Sequence, residues 1–215
     1  VDQFLRKINY LRVSVTDRCD LRCVYCMKEK MNFLPKNEVL TLEEIERLCD
    51  NFIELGIEKI RLTGGEPLVR KNIIHLIQNL NKKKLNTNLK EITLTTNGSL
   101  LKRYAKDLKN NGINRINVSL DTIVEKKFRE ITRFGNLENT LEGIEEAIKN
   151  KIKVKINTVV FKNFNEDQSQ NLIDWANSKS LDLTFIEVMP MSDTDMPRHM
   201  QFVSLDKIFK DLNDV

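Results

Sequence analysis

Short strands in which every second residue is polar constrain the fold more than any other feature of this sequence. The first predicted strand places Leu11, Val13 and Val15 on one side and Arg12 on the other, and the same alternation recurs around Arg61 and in three later segments. Since successive side chains of a strand point to opposite faces, each of these strands has an apolar and a polar face. A sheet covered by helices on both sides is apolar on both faces. The alternation therefore predicts a sheet that curls toward a barrel, with its polar residues in the lumen.

Helical patterns alternate with the strands along the chain. The predicted strands span residues 10–15, 57–62, 92–95, 115–120, 152–160 and 183–188. The predicted helices span residues 41–55, 73–80, 100–110, 141–148, 167–178 and 204–212. Strands that alternate with helices predict a parallel sheet of βαβ units. Because a complete barrel of this kind has eight strands, the sequence predicts an α/β fold of the incomplete type, an open TIM-like (β/α)6 barrel.

Composition and charge exclude several classes of protein. The chain has 215 residues, 40% of them hydrophobic and 31% charged, which suits one domain over residues 1–215 and excludes a disordered or fibrous chain. No apolar run reaches the roughly 20 residues of a membrane-spanning helix, and residues 1–8 lack the apolar core of a signal peptide. We therefore expect a cytoplasmic protein without a membrane partner. The net charge of +4 is too small to indicate nucleic acid binding, but it suits a phosphorylated small substrate.

Three of the four cysteines lie within eight residues. Cys19, Cys23 and Cys26 have the spacing C-x3-C-x2-C. In a reducing cytoplasm, such close spacing indicates metal binding before it indicates a disulfide. Three thiolates on one short loop suit a [4Fe–4S] cluster with one iron left open. A structural zinc site is the alternative, although such sites usually have four ligands and neither histidine is near this loop.

A glycine-rich turn follows the second predicted strand. In the sequence Gly64-Gly65-Glu66-Pro67, the absence of Cβ atoms lets the backbone approach a ligand closely. The cysteine loop, with Tyr25 before its last cysteine, together with this turn resembles the signature of the radical S-adenosylmethionine superfamily. The resemblance implies that the open iron binds the amino and carboxylate groups of S-adenosylmethionine, and that one electron then releases a 5′-deoxyadenosyl radical.

A closer resemblance extends over nearly the whole chain. Six segments resemble, in the same order, the GTP 3′,8-cyclase family of molybdenum cofactor biosynthesis: residues 11–19, 33–36, 59–68, 94–98, 116–121 and 185–189. The resemblance implies a lyase that converts GTP to (8S)-3′,8-cyclo-7,8-dihydroguanosine 5′-triphosphate after the radical removes the ribose 3′ hydrogen. It implies a reductant protein such as flavodoxin or ferredoxin, and cyclic pyranopterin monophosphate synthase as the enzyme that receives the product. A homodimer is left open.

The resemblance also implies roles for individual residues. Cys19, Cys23 and Cys26 match the ligands of the [4Fe–4S] cluster. The positions that match S-adenosylmethionine contacts are Tyr25, Gly65, Asn97, Ser119 and Met189. The positions that match GTP contacts are Arg12, Arg61, Thr95 and Lys155.

The residue pattern agrees with the GTP positions. Arg12, Arg61 and Lys155 lie on the polar faces of three predicted strands. Three cations that converge in a lumen can neutralise a triphosphate, to which arginine gives forked hydrogen bonds. A surface ion pair is the alternative for each of them, but it is less expected on a strand between apolar neighbours.

Two features depart from the family. The family holds a second iron–sulfur cluster on cysteines of a C-terminal segment, whereas no cysteine follows Cys49, which is predicted to be a structural residue on the apolar face of a helix. We therefore expect a truncated chain that lacks this segment. Thr184 stands where the family usually has an arginine, which removes or alters one GTP contact.

Three functional hypotheses follow from the sequence. The first is the GTP cyclase, and the second is a divergent radical S-adenosylmethionine enzyme that acts on a peptide or a tRNA. The third is a non-catalytic iron–sulfur or zinc-binding module. Cleavage of S-adenosylmethionine separates the first two hypotheses from the third, and affinity for GTP separates the first from the second.

Overall fold

The structure is a computed structural model that describes residues 3–189, 194, 195, 197–210 and 212. Its strands are β1 Tyr10–Ser14, β2 Lys59–Thr63, β3 Glu91–Thr96, β4 Arg115–Ser119, β5 Lys153–Val160 and β6 Asp182–Glu187. Its helices are α1 Leu42–Glu54, α2 Ile73–Lys83, α3 Leu101–Asn110, α4 Glu125–Thr132, α5 Leu137–Lys149, α6 Ser169–Ser178, α7 Arg198–Gln201 and α8 Leu205–Lys210.

The six strands form one parallel sheet in the order β1-β2-β3-β4-β5-β6. Each strand therefore lies beside the next strand in the chain, and a helical connection returns the chain to the same end of the sheet. The sheet is open, with β1 and β6 at its two edges. This topology confirms the predicted incomplete (β/α)6 barrel.

The two faces of the sheet differ in the way that the alternation predicts. On the face toward the helices, Ile60, Leu62, Leu94, Ile116 and Ile156 have no exposed surface. Burial of one such side chain contributes roughly 1.5–3 kcal/mol, so this face supplies much of the stability of the fold. We call the opposite face the lumen face; it carries the even-numbered polar residues of β1 and the odd-numbered polar residues of β2 to β5.

The first helix begins and ends as the sequence predicts. Thr41 precedes α1 and accepts a hydrogen bond from the backbone nitrogen of Glu44, while the Glu44 carboxylate accepts one from the nitrogen of Thr41. These two bonds satisfy backbone donors that a helix start otherwise leaves open. Gly56 follows the helix with a φ of 101°, a conformation that glycine adopts most easily. Cys49 is fully buried within α1, as predicted.

The structure differs from the prediction mainly in its short helices. Helix α4 was not predicted, because Phe128 and Ile131 are its only large apolar residues and two such positions do not establish a helical period. Helix α7 was also missed, and α8 ends at Lys210 rather than at Leu212. The strand ends move by one or two residues, a shift common at element boundaries. None of the helices in the described part of the chain combines the length and apolar character that a membrane crossing needs.

Candidate active site

The three clustered cysteines lie on the loop after β1, at the carboxyl end of the sheet. A turn in which the nitrogen of Cys26 donates to the oxygen of Cys23 at 2.8 Å brings these two residues side by side. The backbone nitrogen of Val24 donates to the backbone oxygen of Ile131 at 2.9 Å, and the backbone nitrogen of Arg22 donates to that of Thr132 at 3.1 Å. The last turn of α4 therefore holds the cysteine loop through its backbone.

The side chain of Arg133, just after α4, holds the same loop. Its Nη1 donates to the backbone oxygens of Arg22 at 3.0 Å and Met27 at 3.2 Å, on the two sides of the Cys23–Cys26 segment. Its Nη2 donates to Asp195 at 2.7 Å, and the same carboxylate oxygen accepts from the backbone nitrogen of Glu29. Arg133 thus links the cysteine loop to a segment that follows β6. Sequence reasoning missed this residue, since an isolated arginine after a weak helix carries no recognisable signal.

Tyr25 is fixed from the end of β4. Its hydroxyl donates to Asp121 Oδ2 at 2.8 Å, and Asp121 Oδ1 accepts from the backbone nitrogen of Val159 at 2.8 Å. The Tyr25 ring also packs against the ring of Phe161, with 5.3 Å between the two ring centroids. Burial raises the pKa of Asp121 to about 6, against the opposing effect of these two hydrogen bonds. Asp121 was not predicted as a site residue, although it belongs to the segment 116–121 that carries the family resemblance.

The glycine-rich turn packs directly on the cysteine loop. The backbone nitrogen of Gly65 donates to the oxygen of Thr16 at 2.7 Å, and that of Glu66 donates to the oxygen of Arg18 at 2.8 Å. A Cβ atom at Gly65 would overlap the carbonyl group of Arg18, next to Cys19. The local sequence therefore needs glycine here so that two loops at the carboxyl end can meet.

Glu66 is a buried connector between the turn and the end of β3. Its carboxylate accepts hydrogen bonds from the nitrogen of Leu68 at 2.9 Å, from Thr96 Oγ1 at 2.8 Å and from the nitrogen of Asn97 at 2.7 Å. Burial raises its pKa to about 7, and the three hydrogen bonds oppose this effect. Asn97 continues the chain of contacts, because its Nδ2 donates to Asp20 Oδ1 at 2.8 Å, beside Cys19.

The environment of the Cys19 and Cys23 thiols favours their protonated form unless a cationic group binds to the sulfur. Burial raises the pKa of Cys19 to about 12 and that of Cys23 well above its ordinary value, and the nearby carboxylates add to both effects. A metal centre reverses this situation, because a coordinated thiol is deprotonated. Among the described residues, no three His, Cys, Asp or Glu side chains converge on the position of a single metal ion.

The predicted S-adenosylmethionine positions all lie at or near the carboxyl end of the sheet. Gly65 follows β2, Asn97 follows β3 and Ser119 ends β4, where it pairs in register with Asn157. Tyr25 lies within the cysteine loop. Met189 comes two residues after β6 and is 58% exposed.

The predicted GTP positions lie on the lumen face. Arg12 pairs in register with Arg61, whose Nη1 donates a long hydrogen bond of 3.4 Å to Thr95 Oγ1. Lys155 lies in the same row as Thr95, with one residue, Asn117, between them. The structure therefore brings together four side chains from strands β1, β2, β3 and β5.

The guanidinium of Arg61 lies in an unfavourable environment for a cation. Burial lowers its pKa, and the positive charges of Arg115 and Arg12 lower it further, against the favourable influence of Tyr10 and Glu91. Burial and the neighbouring cations of the lumen face thus both disfavour the charge of Arg61.

Comparison with known proteins finds relatives with high sequence identity and structures with low sequence identity. A GTP 3′,8-cyclase from Brucella ovis (strain ATCC 25840 / 63/290 / NCTC 10512) is 56% identical over 212 residues, which cover 99% of this chain and 62% of that protein. A GTP 3′,8-cyclase from Brucella abortus (strain S19) is 55% identical with the same coverage. The chain thus spans 62% of the length of these curated relatives.

Solved structures of more distant proteins share the fold. The S-adenosylmethionine-bound SuiB of Streptococcus suis superposes with a TM-score of 0.72 at 19% identity, over 94% of this chain and 46% of SuiB. The protein anSMEcpe with bound AdoMet gives a TM-score of 0.71 at 19% identity, over 94% of this chain and 57% of its own. These likenesses support the partial TIM-like barrel.

A family model connects these observations. The model of the Radical SAM superfamily matches residues 13–176, a span that runs from β1 into α6 and includes the cysteine loop and the glycine-rich turn. Its match covers well over half of the sequence. The chain belongs to the radical SAM superfamily.

Proposed function

We propose that this chain is the core of a GTP 3′,8-cyclase, a lyase that converts GTP to (8S)-3′,8-cyclo-7,8-dihydroguanosine 5′-triphosphate in molybdenum cofactor biosynthesis. The observation that carries the proposal is the 56% identity to a GTP 3′,8-cyclase over 99% of this chain. The cation-rich lumen face supports it, because a triphosphate needs several positive charges in one place. The proposed core is one domain over residues 1–215, and the remaining part of a longer protein would complete the enzyme.

In this proposal, Cys19, Cys23 and Cys26 hold a [4Fe–4S] cluster. Three thiols on one loop, fixed by α4 and Arg133, are a suitable ligand set for a cluster that keeps one iron open. A bound cluster would supply the electron that cleaves S-adenosylmethionine. The resulting 5′-deoxyadenosyl radical would remove the ribose 3′ hydrogen of GTP. The protein contributes position, because contacts with α4 and Arg133 hold the backbone of the loop that carries the thiols.

The carboxyl end of the sheet would hold S-adenosylmethionine. We assign Tyr25, Gly65, Asn97, Ser119 and Met189 to its contacts. The absence of a Cβ at Gly65 lets the glycine-rich turn pack on the backbone of Arg18 beside Cys19, and the Asn97 side chain is held by Asp20. The Tyr25 hydroxyl is already occupied by Asp121, so the ring or the backbone of Tyr25 would make the contact.

The lumen face would hold GTP through Arg12, Arg61, Thr95 and Lys155. Arg12 and Arg61 are register neighbours and would share one phosphate group or two adjacent ones. Thr184 lies opposite Asn157 on β6, so a shorter neutral side chain stands on the strand where the family usually supplies an arginine. We expect weaker GTP binding on that side of the lumen.

The wider setting follows from the same assignment. We propose a cytoplasmic enzyme that takes electrons from a flavodoxin or ferredoxin and passes its product to cyclic pyranopterin monophosphate synthase. The association of two chains as a homodimer is compatible with this scheme. Neither nucleic acid nor a membrane has a role in it.

The decisive experiment measures 5′-deoxyadenosine by mass spectrometry. Anaerobically reconstituted protein is incubated with dithionite and S-adenosylmethionine, with GTP, with ATP or without a nucleotide. We expect product in all samples and the largest amount with GTP. Product without stimulation by GTP would favour another radical enzyme, and no product from protein with a full complement of four irons would reject radical chemistry for this chain. A Cys23→Ala variant provides the background.

A further inference from the structure

Asp20 places a carboxylate beside the sulfur of a predicted cluster ligand. The thiol of Cys19 donates to Asp20 Oδ1, with 3.8 Å between the sulfur and the oxygen. A thiol loses its hydrogen when it binds a metal centre, so the carboxylate would then face a negatively charged sulfur directly. Because Asp20 is exposed, specific contacts are needed to keep its carboxylate at this distance rather than turned toward solvent.

Two side chains that follow β3 make those contacts. Ser99 Oγ donates to Asp20 Oδ2 at 2.6 Å, and Asn97 Nδ2 donates to Asp20 Oδ1 at 2.8 Å. The Asn97 amide is itself oriented, because its Oδ1 accepts from the backbone nitrogen of Ser99 at 2.9 Å. Both carboxylate oxygens of Asp20 therefore have a donor, and hydrogen bonds to a carboxylate are among the stronger ones in proteins. The charge of Asp20 is held in one place next to Cys19.

The same amide also lies near the sulfur. Asn97 Nδ2 is 3.8 Å from Cys19 Sγ, and the backbone nitrogen of Leu21 donates to this sulfur at 3.4 Å. Hydrogen bonds to ligating sulfurs and the net charge around them both set the reduction potential of an iron–sulfur cluster. Donors stabilise the more negative reduced form, whereas a carboxylate destabilises it. Asp20 acts against reduction in two ways, through its own charge and because it takes the shorter hydrogen bond of Asn97.

We propose that Asp20, held by Ser99 and Asn97, is a fixed negative charge that lowers the reduction potential of a cluster bound beside it. The inference rests on the proposed cluster site and goes beyond it, because it assigns a role to a residue that binds neither iron nor substrate. Reduction adds one electron from an external reductant to the cluster, so a neighbouring carboxylate disfavours the reduced form. A lower potential makes the reduced cluster a stronger donor of that electron to the sulfonium of S-adenosylmethionine.

A potentiometric titration followed by electron paramagnetic resonance tests this role. Anaerobically reconstituted protein is reduced stepwise with dithionite in the presence of redox mediators, and the midpoint potential of the cluster signal is measured. Asp20→Asn keeps the size of the side chain and one acceptor oxygen but removes the charge. We expect it to favour reduction by roughly three- to tenfold, where tenfold corresponds to a positive shift of about 59 mV for one electron. An ionic strength of about 1 M should shrink the difference, because salt screens exposed charges.

Two further variants are controls. Asp20→Glu keeps the charge and should stay closer to the potential of the wild type than Asp20→Asn does. Asp107→Asn makes the same change of charge on an exposed residue near the far end of α3, and it should leave the potential unchanged. A merely structural role of Asp20 would instead give similar effects in Asp20→Asn and Asp20→Glu.

The outcomes separate this inference from the proposed function. An unchanged potential in Asp20→Asn that holds four irons would overturn the inference, and so would an equal shift in Asp20→Glu. If Asp20→Asn loses the cluster, Asp20→Gln gives the same comparison, and loss from both would make Asp20 a structural residue and overturn the inference. A positive shift in Asp20→Asn, with no stimulation of 5′-deoxyadenosine by GTP in the wild type, would support the inference and reject the cyclase. A wild type that cannot hold four irons would reject the cluster site and the inference with it.

Discussion

The two ends of the sheet differ in how their charged groups are satisfied. At the carboxyl end, the Glu66 carboxylate accepts three hydrogen bonds, Asp121 accepts two and Arg133 donates to three acceptors, all within the protein. At the amino end, Arg61 and Arg115 have buried Nε donors for which the described residues offer no acceptor. Contacts within the protein therefore hold most of the carboxyl end, although Arg22 Nε and Asp17 Oδ1 also lack a partner among the described residues, whereas the amino end places mutually repelling cations side by side.

This difference agrees with the two kinds of ligand that we propose. A cluster and its bound S-adenosylmethionine need a site fixed to a fraction of an ångström, and second contacts around the ligating residues supply that precision. A triphosphate has many equivalent oxygens and tolerates some movement of the cations that bind it. Loss of one contact at the carboxyl end should therefore lower the iron content, whereas loss of one cation at the amino end should leave the ligand-free protein stable.

The cysteines provide the largest expected effect. Changing Cys19, Cys23 or Cys26 to Ala should abolish retention of four irons, because a cluster that already has one open iron cannot lose a second ligand and remain bound. Iron and sulfide content after anaerobic reconstitution is the measurement. Cys49→Ala is the control and should retain the full cluster, since Cys49 is buried within α1, on the outer side of the sheet. Four irons in a Cys26→Ala protein would refute the ligand assignment.

Gly65→Ala tests the close contact between the two loops at the carboxyl end. The new Cβ would meet the backbone of Arg18, which cannot yield as a flexible side chain would. We expect a loss of about 1–3 kcal/mol in the free energy of unfolding and a clear fall in iron content. Gly56→Ala is a matched control, because no atom lies within 4 Å of its added Cβ and only the backbone conformation is strained. Equal iron content in the two variants would show that the contact is not needed.

Arg133→Ala removes the clamp on the cysteine loop. The protein should reconstitute more slowly and hold less iron, because the carbonyls of Arg22 and Met27 lose their donor. Hydrogen bonds to a charged donor are worth roughly 1.5–3 kcal/mol each, reduced here because the Arg133 side chain is 19% exposed. The spectrum of the reduced cluster should also change, which a loss of stability alone would not cause.

Two variants separate the parts of this effect. Arg133 has a φ of 63°, so Arg133→Gly relieves the backbone while it removes the clamp, and it should still lose iron. Arg129→Ala removes only an exposed contact of 3.8 Å to Glu125 and should behave as the wild type. Normal iron content in Arg133→Gly would show that the arginine side chain is not a positioning residue.

The fold could be predicted because its signal is repeated. Each strand has the same alternation of apolar and polar residues, and Val13, Leu62 and Val118 confirm in three strands that the apolar side is buried. The arrangement of the lumen followed from the same pattern, since Arg12 and Arg61 needed only the correct register to become neighbours. The roles of the matched residues stay predictions, because they concern ligands.

Contacts between distant loops could not be predicted. Asp121 meets Tyr25 across 96 positions of the sequence, and Arg133 meets Asp195 across 62. Asp121 continues the polar alternation of β4 but Arg133 belongs to no periodic pattern, and the partners of both are defined only when the loops at the carboxyl end pack together. The buried Nε donors at the amino end are likewise a property of packing that composition does not reveal.

Arg61→Gln should give the smallest change in the stability of the ligand-free protein. The substitution removes a cation that burial, Arg115 and Arg12 all disfavour, so the free energy of unfolding should stay within about 0.5 kcal/mol of the wild type or rise. Its consequence appears only with a ligand: GTP should raise the melting temperature of the wild type but not of the variant, while S-adenosylmethionine cleavage without GTP should persist. A large loss of stability in the ligand-free variant would show that the arginines at the two ends have the same structural role, and it would end the distinction between the two ends of the sheet.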